Sequence, residues 1–200
     1  SQYYPREKFE IIIVDDGSTD QTTSIAKKAG VDSIIITEPC FQGKARNIGV
    51  QNAKADLLGF IDSDCEAIDG WVETIVKELE TLQAITGSIE SGNPQSKIAW
   101  AEYFVEFSFF NEYRKRFVSK IGLPGCNLAC TKNAFEKAEG FSEERLSEDV
   151  RFSQCLSRAG IDHYFVPELQ VKHLCRTKWK QVSTNMKTLG KYFVRNRRIN

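Results

Sequence analysis

A chain of 200 residues, 41% hydrophobic and 27% charged, has the make-up of one globular domain with a sizeable core. Lys+Arg and Asp+Glu balance at 27 each, so net charge gives no argument for nucleic acid as a bulk partner. No apolar run has the length of a bilayer span, and no secretory leader pattern opens the chain.

The first strand is expected at residues 9–14, ending in the acidic pair Asp15-Asp16. Residues 21–29 form a helix, with Thr19 or Asp20 as its N-cap and Gly30 as its stop. A β-branched strand follows at 31–36, then a loop at 38–43. The helix at 44–55 turns Ala45, Ile48 and Ala53 inward. Residues 57–61 are a buried strand that runs into Asp62-Ser63-Asp64. The helix at 71–82 carries Trp71, Ile75, Val76 and Leu79 on one face, and 84–89 is the next strand. This alternation predicts an α/β fold with a mostly parallel sheet flanked by helices. The aromatic-rich stretch 96–118 reads as one long helix whose rings serve packing. Beyond it come a strand at 127–131, helices at 133–138 and 148–159, and strands at 163–166 and 171–173.

The six cysteines form no CxxC pair and no zinc-finger spacing, so free thiols in a reducing compartment, the cytosol, are expected. Cys65, beside Asp64, reads as a small filler rather than a ligand. The ends look cut: the first strand begins almost at once, and residues 187–198 form a basic, aromatic tail without a terminating signal.

Chemistry concentrates where strands end. Asp62 and Asp64 are two residues apart and point to one side, able to converge on a cation. With them stand Ile13-Val14-Asp15-Asp16-Gly17-Ser18-Thr19-Asp20, Gly43-Lys44-Ala45-Arg46-Asn47 and Ser147-Glu148-Asp149. In this order and spacing the four motifs resemble the family 2 glycosyltransferases over nearly the whole chain. The resemblance implies a GT-A fold, a nucleotide-sugar donor with a UDP-sugar favoured, a metal on an Asp-x-Asp motif and an inverting displacement. Family members normally begin with one more strand and a Pro-x-Tyr-Asn-like turn, which this chain lacks. The resemblance further implies a donor-binding half at 1–95 and an acceptor-binding half at 96–200, within one domain that ends in a basic helix.

Residue by residue, it places Asp16, with Asp15 beside it, on the nucleoside. Here Gly17 allows close approach, and capping of the next helix is the alternative. Lys44 and Arg46 fall at a helix start suited to an anion, and Asn47 approaches the donor with them. A solvated basic face is the alternative for Lys44. Asp64 is the direct ligand of Mg2+ or Mn2+, Asp62 reaches ribose or metal, and His173 is a late metal ligand. Asp149 is the general base with Glu148 as its orienter, although a helix cap explains an acid there too. Asn127, in the Gly125-Cys126-Asn127 loop, meets the transferred sugar. His163 serves packing, and Trp100 and Trp179 stand in core or interface, with stacking on a sugar ring as the alternative. The family often has an acid two residues after the base and an Arg six after it; here Arg151 and Cys155 occupy those places.

The expected function is metal-dependent transfer from a nucleotide-diphosphate sugar to a hydroxyl of a glycan, a lipid-linked or another acceptor. The basic tail allows peripheral contact with an anionic membrane at its inner face. A non-catalytic nucleotide-sugar binding module is the alternative. A phosphorylation receiver ranks third, because it has no use for Asp62, Asp64, Glu148 and Asp149.

Overall fold

The computed structural model describes residues 2–119, 122–144 and 147–197. Its first layer is a parallel pair, β1 (Ile12–Asp15) and β2 (Ser33–Ile36), joined through α1 (Thr22–Lys28). Helix α2 (Phe41–Asn52) packs on β1 and leads into the larger sheet. That sheet contains β3 (Leu57–Ile61), β4 (Cys65–Ala67), β5 (Ala84–Ser91), β6 (Phe117–Val118), β7 (Asn127–Thr131) and β8 (Tyr164–His173). The strand order is β3-β7-β5-β8-β4, with β6 also on β8. The strands β3, β5 and β8 run in one sense, as the alternation predicts. β7 is inserted against them, and the short β4 and β6 cover the outer edge of β8 antiparallel.

Two apolar layers sandwich this sheet. On one face Val50 of α2, Leu58 and Phe60 of β3, Phe135 of α5 (Lys132–Lys137), and Phe152 and Leu156 of α6 (Glu148–Arg158) form a core with Phe141. On the other, Trp71, Ile75 and Leu79 of α3 (Trp71–Leu79) pack against Ile85, Ile89, Phe165 and Val171. β5 lies between β7 and β8 and is buried throughout residues 84–89, with the buried hydroxyls of Thr86 and Ser88 satisfied by Asn127 O and Pro167 O.

The stretch expected as one helix over 96–118 is broken. Helix α4 (Lys97–Glu106) ends in a 3-10 turn at Ser108–Phe110. Asn111 stops it there by donating to Ser108 O and accepting from the Tyr113 N–H, local bonds that compete with a continuing helix. Tyr103 and Phe110 are buried as expected, whereas Phe104 and Tyr113 face outward. The segments at 163–166 and 171–173 belong to one strand, β8, interrupted by a bulge: Val166 pairs with Gly87 and Gln170 with Ser88. Gly87 permits the bulge, since a Cβ there would stand 1.8 Å from Leu169 O. The last helix, α7 (Trp179–Arg197), packs on α4. No helix among the described residues is long and apolar enough to cross a membrane. The end of the expected basic tail, Arg198, lies outside them.

Asn127 closes the bulge. Its amide nitrogen donates to Ser88 O at 3.1 Å and Leu169 O at 2.8 Å, and its oxygen accepts from Trp71 Nε1 at 2.9 Å. The side chain is fully buried. Asn127→Ala leaves three buried polar groups unpaired and is expected to lower stability by about 3–5 kcal/mol, read from the urea midpoint. A loss below about 1 kcal/mol would reject this structural role.

Candidate functional site

The end of β3 and the start of α6 meet over one cavity of about 230 Å³. Asp62, Asp64, Glu148, Asp149, His173 and Arg46 all line it. After β3 the chain turns through Asp62-Ser63-Asp64, closed by the Cys65 N–H on Asp62 O at 3.0 Å. Leu174 N–H binds Asp64 O at 2.7 Å, which ties this turn to the residue after β8.

Arg46 bridges the two sides. Its guanidinium donates to Asp62 Oδ1 and to Glu148 Oε1, both at 2.6 Å, and its side chain is only 11% exposed. Burial alone would lower its pKa, but the charges of Asp62 and Glu148 outweigh burial and raise it. The approach depends on two glycines. A Cβ at Gly125 would stand 2.7 Å from the guanidinium, and one at Gly43 would stand 2.0 Å from Ser142 O. Helix α2 begins at Phe41, one turn earlier than expected, so Arg46 acts through its side chain and not at a helix start.

Asp149 lies in the first turn of α6, behind Ser147 at φ 66°. Its Oδ2 accepts from Gly125 N at 3.2 Å and its Oδ1 from Val150 N at 2.7 Å. Burial, then the neighbouring Glu148 charge, pushes its carboxyl up to about 6, against the lowering influence of those two N–H groups and Arg46. A carboxylate so tuned suits proton abstraction near neutral pH.

His173 closes the other side. Its Nε2 is 3.5 Å from Asp64 Oδ1, while Nδ1 lies 3.4 Å from Cys175 Sγ, and its ring packs on Phe107 at 4.5 Å. In the tautomer whose Nδ1–H donates to that sulfur, Nε2 keeps its lone pair for an ion, and the donor set then fits a divalent metal. Cys65, expected as a filler, places its sulfur in the same group.

The remaining expected contacts lie elsewhere. Asp15 is buried and accepts from the Ser18 N–H at 2.8 Å. Asp16 caps α2, accepting from Cys40 N at 2.5 Å and Phe41 N at 3.2 Å, so its carboxylate serves a helix other than the one that follows it. Asp20, with an oxygen 2.9 Å from the Thr22 N–H, is the acid at the start of α1. Asn47 exchanges two 2.9 Å hydrogen bonds with the Phe141 backbone. Lys44 is exposed, 3.9 Å from Glu143. Asn127 is held in the core, as described. His163 is buried, as packing requires, whereas Trp179 is exposed.

Part of the cavity wall lies beyond the four motifs. Glu106, Arg176, Asn185 and Leu189 line it. Arg176 donates to Glu102 at 2.7 Å, and Asn185 to Glu106 at 2.8 Å. Burial and the Glu102 charge raise Glu106 to about 7, against Arg176. The available signal was Arg176, three residues after His173.

The chain matches, over residues 1–138, the model of a family described as Glycosyl transferase family 2. It is 32% identical over 185 residues to Glycosyltransferase AglE of Haloferax volcanii, a match covering 88% of this chain and 60% of that protein. Among solved structures it is similar to S. aureus TarS 1-349 in complex with UDP-GlcNAc, with a TM-score of 0.69 at 18% identity over 88% of this chain and 52% of that one. A second is the mannosyltransferase PcManGT from Pyrobaculum calidifontis in complex with GDP-Man and Mn2+. Here the TM-score is 0.68 at 19% identity, covering 89% and 51% of the two chains. The fold is therefore the GT-A fold of these enzymes, and the chain spans only about half to three-fifths of their length.

Arg46→Met is expected to lower stability by about 3 kcal/mol in chemical denaturation, because it strands Glu148. It also removes a cation that favours ionised Asp149, so the carboxyl of Asp149 should titrate above about 6, read by carbon-detected NMR. An unchanged titration would show that Arg46 does not tune Asp149.

Proposed function

Because the chain belongs to glycosyl transferase family 2, we propose that it moves a sugar from a nucleoside-diphosphate donor to an acceptor hydroxyl with inversion at the anomeric carbon. The observation supporting this is the convergence of Asp64 and His173 with Asp149 on one cavity. A UDP-sugar is the favoured donor, because a structural neighbour was solved with UDP-GlcNAc.

In this reading Asp149 takes the proton of the acceptor hydroxyl as its oxygen attacks the anomeric carbon. The bond to the diphosphate oxygen breaks on the opposite face, and the diphosphate leaves with both electrons. Glu148, clamped by Arg46, keeps the first turn of α6 in place and helps hold the pKa of Asp149 up. Asp64 and His173 would hold the divalent ion, expected from the resemblance as Mg2+ or Mn2+, which when bound would supply Lewis-acid stabilisation of the leaving group. Asp62, beside them, faces the ribose or the ion. Asp15, Asp16, Asn47 and Asn127 hold backbone behind the cavity wall and do not line the cavity themselves. The acceptor is a glycan, a lipid-linked or another hydroxyl. The lysines of α7 (Lys180, Lys187 and Lys191) favour contact with an anionic membrane face, and the six free thiols suit the cytosolic side.

Asp149→Asn should bind donor and Mn2+ in calorimetry as the unmodified protein does, yet lose about 10²–10⁴-fold in kcat. Turnover that survives the substitution would remove the base assignment. Since the base must be ionised, kcat/KM should rise with pH to a plateau above about 6 and fall tenfold per unit below it. Donor binding without transfer to any acceptor would favour the binding-module alternative.

A further inference from the structure

Cys65 is the one member of the Asp64 group to which the proposed reaction gives no task. It opens β4 and lies directly opposite His173 in the antiparallel β4–β8 ladder. Residues so paired present their side chains on one face, with Cβ atoms about 4.5–5.5 Å apart. The turn before β4 brings the Asp64 carboxylate to the same spot. Asp64 Oδ1 is 3.5 Å from His173 Nε2 and 4.0 Å from Cys65 Sγ. One ligand atom from each of the three residues lies within 4.8 Å of the others. Ligands of a shared tetrahedral ion stand about 3.4–3.6 Å apart, given metal bonds of about 2.0–2.3 Å. The Asp64–His173 separation already matches, while Cys65 Sγ, which is hydrogen-bonded with Cys126, must move closer to join them.

We propose that Cys65 Sγ is a direct ligand of the ion held by Asp64 and His173, so that the centre is an oxygen–sulfur–nitrogen site taking thiophilic cations such as Zn2+ and Co2+ in preference to Mg2+ or Mn2+. This rests on the reading of Asp64 and His173 as the ion-holding pair and adds the sulfur and the metal preference. On binding, the sulfur donates a lone pair to the ion and its proton passes to solvent. Three protein ligands leave a fourth position for a donor oxygen, the arrangement of open zinc sites. Thiolate favours Zn2+ and Co2+, and Mn2+ stands below both for a given donor set. The Cys175 sulfur against His173 Nδ1 fixes which ring nitrogen faces the ion.

The test is a Co2+ titration of the purified protein followed in the near ultraviolet. A sulfur-to-cobalt charge-transfer band saturating at one ion per chain is expected. Cys65→Ser should abolish the band and weaken Co2+ and Zn2+ binding at least about tenfold, while leaving Mn2+ affinity, read by electron paramagnetic resonance, within about threefold. Cys126→Ser and Cys175→Ser should keep the band. X-ray absorption of the unmodified protein loaded with Zn2+ should show one sulfur at about 2.3 Å, independently of any variant's folding. If no sulfur is seen and no band forms, while Mn2+ binds and His173→Ala abolishes that binding, Cys65 is not a ligand and the Asp64–His173 pair stands. A band that survives Cys65→Ser also overturns the proposal. Absence of binding by any of these ions in the unmodified protein removes both readings.

Discussion

Burying the Arg46 guanidinium between Asp62 and Glu148 joins three elements that are remote in sequence: α2, the turn after β3 and the first turn of α6. A buried ion pair is an uncertain source of net stability, because desolvation offsets much of the attraction. Its geometry is the more secure contribution. A guanidinium offers a planar fork of donors in fixed directions, which a lysine in the same place does not. The two carboxylates it satisfies stand close in sequence to residues with proposed chemical roles: Asp62 is two positions before Asp64, and Glu148 precedes Asp149. Their relative positions therefore follow from one rigid side chain on the second turn of a helix. Gly125 and Gly43 allow that closeness by leaving room for the guanidinium and for the loop at Ser142.

A second polar network runs along the other wall. Arg176 pairs with Glu102, and Asn185 reaches Glu106, linking α4, the segment after β8 and α7. These bonds place the last helix beside the cavity. The wall contributed by α7 is partly apolar, through Leu189, and partly polar, through Asn185.

Local pattern revealed most of the sheet and helices, because period-two and helical apolar spacings record which face is buried. β3 and β7 have the expected bounds. The 96–118 stretch misled because its aromatic spacing suits a helix face, while Asn111 ends the helix through short-range bonds that periodicity does not register. β4 is only three residues long and exists through its pairing with β8, a non-local cause. At the site, the motifs brought the acids of β3 and α6 together correctly, since strand ends and helix starts converge in this fold. They could not show that Asp16 caps α2, that Asn127 closes a bulge, or that Cys65 faces His173. Each of those depends on pairing across the chain.

The bulge in β8 has an odd number of extra residues: the step from Val166 to Gln170 on β8 answers a single step on β5. An odd insertion exchanges the two sides of a strand, so the residues after it stand on the opposite side from where simple alternation would put them. His173 stands opposite Ser91 after that change of phase. Shortening this segment by one residue would restore simple alternation with the imidazole still opposite Ser91 and on its present side, so the change of phase is required by the odd count alone. The three residues Pro167–Leu169 thus set the face on which His173 stands relative to Val166, although none of them lines the cavity.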